Sequence, residues 1–213
     1  MKIKICGIFR DEDIDYINEA RPDYIGFVFA QSRREVSPLQ AARLRRRLAE
    51  GIVAVGVFVN TPVEDIIALY RDGVISLAQL HGGEDEAYIT RLKEASRGSQ
   101  RGVPIPVIKV ITMTKLIKSE ELKRLMPITT GADYCLFDSG AGSGKTFDWG
   151  LLNSLKIEKP WFLAGGISMD NVGQALVLNP FAVDISGGAE TNGVKDRDKI
   201  LQLTAMVRRG NTV

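Results

Sequence analysis

The chain of 213 residues contains a single histidine, His81, and only two cysteines, Cys6 and Cys135. One imidazole cannot build a cluster of histidine ligands, and no Cys-x-x-Cys spacing is present, so no metal site of the usual zinc kind is expected. Two distant cysteines do not make a disulfide framework, which points to a reducing, cytoplasmic setting. The chain also lacks a dominant charge: 28 Lys and Arg face 26 Asp and Glu, for a net charge of +2. That balance speaks against nucleic acid or an anionic membrane as partner, and any anion selectivity must be local. Long apolar runs are missing too. Nothing approaches the length of a membrane span, and the first residues lead into a short strand and a glycine turn, not a signal-peptide core.

What is present is ordinary globular composition, 45% hydrophobic and 25% charged, in a length that suits one domain over residues 1–213. Apolar β runs alternate with amphipathic helical segments. The expected strands are Lys2–Cys6, Tyr24–Phe29, Val53–Val59, Ile75–Leu80, Val107–Ile111, Tyr134–Asp138, Trp161–Ala164 and Ala182–Ser186. Most are nearly continuous apolar runs, as in strands covered on both faces. Ser37-Pro38-Leu39-Gln40 and Thr61-Pro62-Val63-Glu64 each carry an N-cap residue followed by proline, predicting helices to about Glu50 and Asp72. Further helices are expected over Asp11–Ala20, Glu84–Ser96, Leu116–Leu125, Asp148–Leu155, Asp170–Val177 and Asp196–Arg208. Eight strands alternating with eight helices predict an α/β fold, a (β/α)8 TIM barrel, although a doubly wound sheet shares the local pattern.

In such a barrel the chemistry lies at the carboxyl ends of the strands. Those ends carry Cys6, Arg34 in the loop after the second strand, Asn60, His81, Lys109, Asp138, Asp184 and Ser186. Cys6 and Asp138 can be read as a base and acid pair. A thiolate near cations or amides can have a lowered pKa and take a proton, and a carboxyl in a dry cleft can stay protonated and give one. The plainer alternatives are a small buried thiol at Cys6, a loop cap at Asp138 and a structural imidazole at His81. Two glycine pairs, Gly165-Gly166 and Gly187-Gly188, follow the seventh and eighth strands, where barrels of this kind bind phosphate through backbone amides. Tight turns would use the same residues. Gly140 to Thr146 looks like a P-loop but fails the spacing, because position 139 is serine. A loop closing over the barrel mouth accounts for it better.

Taken together these motifs resemble the phosphoribosylanthranilate isomerase family of tryptophan biosynthesis. The matching segments are Lys4-Ile5-Cys6-Gly7-Ile8, Gly26-Phe27-Val28-Phe29, Ser32-Arg33-Arg34-Glu35-Val36, Val55 to Asn60 and Gln79-Leu80-His81-Gly82. They continue through Leu136-Phe137-Asp138, Gly142 to Trp149, Phe162 to Ile167, Val183 to Glu190 and Gly193-Val194-Lys195-Asp196. The resemblance implies an Amadori rearrangement of N-(5-phosphoribosyl)anthranilate without a cofactor. Asp138 would be the general acid at the ring oxygen and Cys6 the general base at C2. Arg34 would hold the anthranilate carboxylate, with His81, Asp184 and Ser186 also facing the substrate. Gly165, Gly166, Gly187 and Gly188 would hold the phosphate. The partner implied is a small phosphorylated molecule, bound by a monomer or homodimer. Gly187 stands where the family often has a second serine, Phe9 where it has threonine, and Arg33 where it has proline. Among other phosphosugar barrels, a metal-dependent epimerase would want more than one histidine. An indole-glycerol-phosphate synthase would want more strand-end lysines than Lys109.

Overall fold

A computed structural model describes residues 1–98, 102–113, 131–140, 146–155 and 157–210. Eight parallel strands close into a barrel in chain order. They are β1 Lys2–Cys6, β2 Tyr24–Val28, β3 Val53–Phe58, β4 Leu77–Leu80, β5 Val107–Thr112, β6 Tyr134–Asp138, β7 Trp161–Leu163 and β8 Ala182–Ile185. Closure is made by β1 against β8, with Lys4 level with Asp184 and Ile5 with Ile185. The expected strands are all present, and their ends move by one or two residues. A short antiparallel pair, Glu190–Thr191 with Val194–Lys195, was not expected and follows β8.

The helices form where their caps allow. Ser37 accepts a hydrogen bond from the Gln40 amide and Pro38 opens the helix Pro38–Arg47, which stops three residues before Glu50 because Leu48 is already extended. The second capping expectation is corrected: the helix Val63–Arg71 has Pro62 at its N-cap, with no side-chain cap. The Thr61 carbonyl instead accepts from the Tyr88 hydroxyl, 2.5 Å away. Asp85 caps the helix Glu86–Arg97, and Asp196 caps Arg197–Arg209. Trp149–Ser154 is a 3-10 helix, not an α-helix, and the helix after β7 is limited to Val172–Val177. The expected helix Leu116–Leu125 and most of the Gly140 to Thr146 loop lie outside the described residues.

Alternation along the strands sorts side chains into two layers. Facing outward, residues such as Ile3, Ile5, Cys135, Phe137, Val183 and Ile185 pack in the large cluster that includes the helices. Facing inward, Tyr24, Val55, Leu77, Ile108, Val110, Leu136, Phe162 and Ala182 form a second, separate core. Phe162 anchors its lower end, edge-on to Tyr24, Tyr134 and Phe181 with centroids 5.6–5.7 Å apart. The barrel is therefore plugged by aromatics at one end. Lys2 covers that end over the Tyr24 and Phe181 rings, and the site residues expected from the sequence lie at the other.

Candidate active site

Inward alternation on β1 places Lys4 and Cys6 on the same face. Cys6 is 8% exposed and unpaired. Room for its sulfur exists only because residue 26 is glycine; a Cβ there would lie 2.6 Å from Cys6 Sγ. Gly7 turns the chain with φ +84° and leaves space that a Cβ would take from the Arg34 side chain, at 2.3 Å. The Cys-Gly pair is thus a packing requirement as well as a turn. Lys4 is fully buried and donates to Gln79 Oε1 at 2.8 Å and to Asp184 Oδ2 at 2.9 Å. The expectation of a lowered thiol pKa is corrected: burial pushes Cys6 above the usual thiol range, and the pull of Lys4 and Lys195 only partly offsets it. The Ser186 hydroxyl donates to the Cys6 carbonyl at 3.1 Å, so it ties the end of β8 to the end of β1.

Beside this strand end one carboxylate gathers three cations. Glu190 accepts from Arg34 Nε at 2.6 Å and Arg34 Nη2 at 2.9 Å. It also accepts from Arg33 Nη2 at 2.6 Å and Lys195 Nζ at 2.7 Å. Burial opposes its charge, yet hydrogen bonds from Arg34 and Lys195 hold its pKa below the usual carboxylate range. The arrangement fixes the Arg34 fork by one edge and leaves donors on Nη1 for another anion. The Arg34 side chain is 20% exposed, whereas that of Arg33 is 59% exposed and reaches the same carboxylate from the rim. At the Phe9 departure the backbone amide donates to Asp13 at 3.1 Å and the carbonyl accepts from Gln40 at 2.6 Å, while the ring packs against the core.

Across the mouth, β6 ends at Asp138, inward-facing like Leu136. Its carboxylate accepts from the Gly140 amide at 3.2 Å and lies 3.5 Å from His81 Nε2. The capping alternative for Asp138 and its pairing with the imidazole therefore coexist. His81 is steadied by its backbone, donating to the Phe58 carbonyl at 2.8 Å. Behind it, Glu84 accepts from the amides of Asn60 at 2.7 Å and Gly82 at 2.9 Å, and from Lys109 at 3.1 Å. Lys109 faces away from the barrel axis, alternate to Ile108 and Val110. It bonds to the Gly82 carbonyl and Glu84, so it supports the wall of the mouth and does not line it.

The glycine pairs bring the last two loops together. Gly165 and Gly166 take φ of +88° and +68°, which side chains rarely adopt. A Cβ on Gly188 would lie 2.0 Å from the Ile167 carbonyl, so the loops after β7 and β8 touch backbone to backbone. Gly187 has open space, with Arg34 Nη2 3.9 Å from where a Cβ would stand. It opens the 3-10 helix Gly187–Ala189, whose first amides have no partner within the helix.

Cys6, Arg34, Ser186, Gly187 and Gly188 thus gather on the β8–β1–β2 side. Asp138 and His81 pair on the other side, and Asp184 sits deeper, against Lys4. Lys4, Gln79, Glu190, Lys195 and Glu84 were not expected. Period-2 alternation was the available signal for two of them: Lys4 stands two residues before Cys6, and Gln79 two before His81. Among the described residues no cluster of three or more His, Cys, Asp or Glu could hold a metal ion. A cavity of about 550 Å³ lined by Asn60, Thr61, Tyr88 and Arg91 lies between two outer helices; it touches the mouth only at Asn60, and neither Cys6 nor Asp138 lines it.

A family profile described as PRAI, N-(5'phosphoribosyl)anthranilate (PRA) isomerase, matches residues 3–205. N-(5'-phosphoribosyl)anthranilate isomerase of Endomicrobium trichonymphae is 45% identical over 213 residues, covering 97% of this chain and 98% of its own. A solved phosphoribosyl anthranilate isomerase in complex with reduced 1-(o-carboxyphenylamino)-1-deoxyribulose 5-phosphate superposes with a TM-score of 0.75 at 30% identity, covering 98% of this chain and 99% of that one. A structure of monomers generated from the dimeric enzyme of Thermotoga maritima gives a TM-score of 0.77 at 30% identity, with 98% of each chain covered.

Proposed function

The chain belongs to the N-(5'-phosphoribosyl)anthranilate isomerase family, and from that premise we propose how its residues carry the reaction. It is an isomerase of tryptophan biosynthesis that converts N-(5'-phosphoribosyl)anthranilate to 1-(2-carboxyphenylamino)-1-deoxyribulose 5-phosphate. Asp138 gives a proton to the ribose ring oxygen as the C1–O bond breaks, leaving an open-chain Schiff base. Cys6, as thiolate, takes the C2 proton. The resulting enol loses its hydroxyl proton while C1 gains one, and the ketone remains. His81, 3.5 Å from Asp138, steadies the carboxyl through the proton transfer.

Arg34 grips the anthranilate carboxylate with the donors that Glu190 leaves available. The turns at Gly165-Gly166 and Gly187-Gly188 offer backbone amides to the phosphate. Asp184 and Ser186 act from beneath, one through Lys4 and the other on the Cys6 carbonyl. The observation that carries this reading is the row of inward positions ending at Cys6 on β1 and at Asp138 on β6. Both lie at the polar end of a barrel whose other end is filled with aromatics. Two unpaired buried thiols suit a cytoplasmic setting, and a monomer or homodimer is the expected assembly.

The test is loss of phosphoribosylanthranilate fluorescence on addition of the purified protein, with and without EDTA. Turnover that survives chelation supports the acid and base roles. A rate that EDTA abolishes and a divalent ion restores would overturn them.

A further inference from the structure

Lys4 is the buried inward-facing charge of β1, and its surroundings are unusual for an ammonium. It is fully buried in a barrel interior otherwise filled by residues such as Leu77, Ile108, Val110 and Leu136. Burying an ammonium is costly, and a buried ion pair is often no more stable than the apolar residues that could replace it. A methionine or leucine would fill this space without that cost. A packing role therefore does not account for a lysine here.

The geometry of its three N–H donors does. One reaches Gln79 Oε1 at 2.8 Å and one reaches Asp184 Oδ2 at 2.9 Å. The ammonium and the Cys6 thiol lie on one strand face, two residues apart, and interact electrostatically. The other oxygen of Asp184 is buried and has no partner among the described residues, so Lys4 is what answers that carboxylate. Both Lys4 and Gln79 reach across the barrel lumen, so the ammonium is held from β4 and β8 while it faces the sulfur on β1.

We propose that Lys4 is a positioning residue for Cys6: a permanently charged ammonium, fixed by Asp184 and Gln79, that sets how readily the thiol gives up its proton. This rests on the reading of Cys6 as the base. The part played by Asp184 is to keep the charge in place. A buried lysine facing only a thiol could lose its proton; burial does pull on Lys4 in that direction, but Asp184 holds its pKa above the usual lysine value. Its field on the sulfur is then the same before and after Cys6 takes the substrate proton. Among the described residues, the charged groups that act on Cys6 are Lys4 from its own strand, Asp184 from β8, Lys195 from the hairpin after β8, and Arg34 from the loop after β2. Burial dominates and raises the thiol, Lys4 gives the strongest opposing pull, and Asp184 works against it.

The experiment measures the rate of Cys6 alkylation by iodoacetamide against pH in a Cys135→Ala background, alongside turnover. Alkylation reads thiolate directly and does not depend on what Cys6 does to substrate. Lys4→Met should move the alkylation midpoint up by about one pH unit or more, a tenfold loss of thiolate at neutral pH, and lower kcat by about the same factor. Lys4→Met combined with Asp184→Asn leaves no unpaired buried charge and should also move the midpoint up, by less. An unchanged or lower midpoint in either folded variant overturns the proposal. A raised midpoint with unchanged kcat upholds Lys4 as the setting charge and removes Cys6 as the base.

Discussion

Cys6 and Cys135 stand in opposite surroundings, although both are buried and both thiols are pushed up by burial. Cys135 faces outward from β6 into the apolar layer between barrel and helices, with Lys159 the one charged group among the described residues that pulls on its thiol. Cys6 faces inward and is worked on by Lys4, Asp184, Lys195 and Arg34. Around it, Lys4, Arg33, Arg34 and Lys195 are ion-paired to just two carboxylates, Asp184 and Glu190. Three of these cations, Lys4, Lys195 and Arg34, act on the sulfur, while Arg33 reaches Glu190 from the exposed rim; their pull offsets part of what burial costs a thiolate. Both thiols are buried, and the direction of the pKa shift is the same at the two sites. With Cys6 as the proposed base, what separates it from the packing thiol is the desolvated charge around it.

The sharpest way to break this contrast is to truncate each thiol. Cys6→Ala should lower turnover by ~10²–10⁴, the range for a positioned general base, with the fold intact. Cys135→Ala should leave turnover within about twofold and cost stability instead, on the order of 1 kcal/mol for a small buried side chain. Stopped-flow turnover and urea unfolding of both variants decide it. Equal losses of activity at unchanged stability would mean the charged surroundings of Cys6 are irrelevant. Asp138→Asn extends the comparison along β6, where Asp138 faces in and Cys135 faces out. It should cost ~10²-fold in turnover while product-analogue affinity changes little. A loss confined to binding in calorimetry would reduce Asp138 to a positioning residue.

A smaller effect is expected at the Glu190 hub. Arg34→Ala should weaken product-analogue binding by ~1.5–3 kcal/mol, the range for hydrogen bonds to a charged group. Arg33→Ala removes an exposed partner of the same carboxylate and should change binding by less than ~1 kcal/mol. Titration calorimetry on the two variants separates them, and the reverse order would give the carboxylate to Arg33.

Much of this was legible before any coordinates. The barrel follows from apolar strands spaced by capped helices, and the residue ending each strand is where the mouth must be. That logic sets Cys6, Asp138 and His81 at the mouth, where the structure has them; the roles proposed for them come from the family resemblance. Lys4 and Gln79 obeyed the same alternation but lie one row deeper, so a reading of strand ends passes over them. Glu190 and Lys195 belong to a two-residue hairpin too short to leave a β pattern, and its ion pairs with Arg33 and Arg34 span more than 150 positions of chain. The thiol pKa was misjudged for a physical reason: the cations are present, but burial outweighs them. Gly188 read as an amide donor. It is also the point where two loops meet, because a Cβ would lie 2.0 Å from the Ile167 carbonyl.

The mildest test asks whether Cys135 is only a wall residue. Burial pushes its thiol up to about 11 from an ordinary value of 9.0. The folded state therefore binds that proton more tightly than the unfolded chain does. The stability this confers is fully present below about pH 9, the unfolded value, and is lost as pH rises through 11. A two-unit shift corresponds to about 2–3 kcal/mol at most. Other groups titrate in the same window, Tyr88 among them with its pKa raised to about 12, so wild-type unfolding alone would not isolate Cys135. The difference between wild type and Cys135→Ala does. It should favour wild type at pH 8 and shrink or change sign by pH 11, while the same difference for Cys6→Ala follows the charged groups of the mouth as well. A Cys135 difference that stays constant from pH 8 to 11 would mean the outer layer admits water to the thiol, and the contrast between the two cysteines would then be one of access and not of charge.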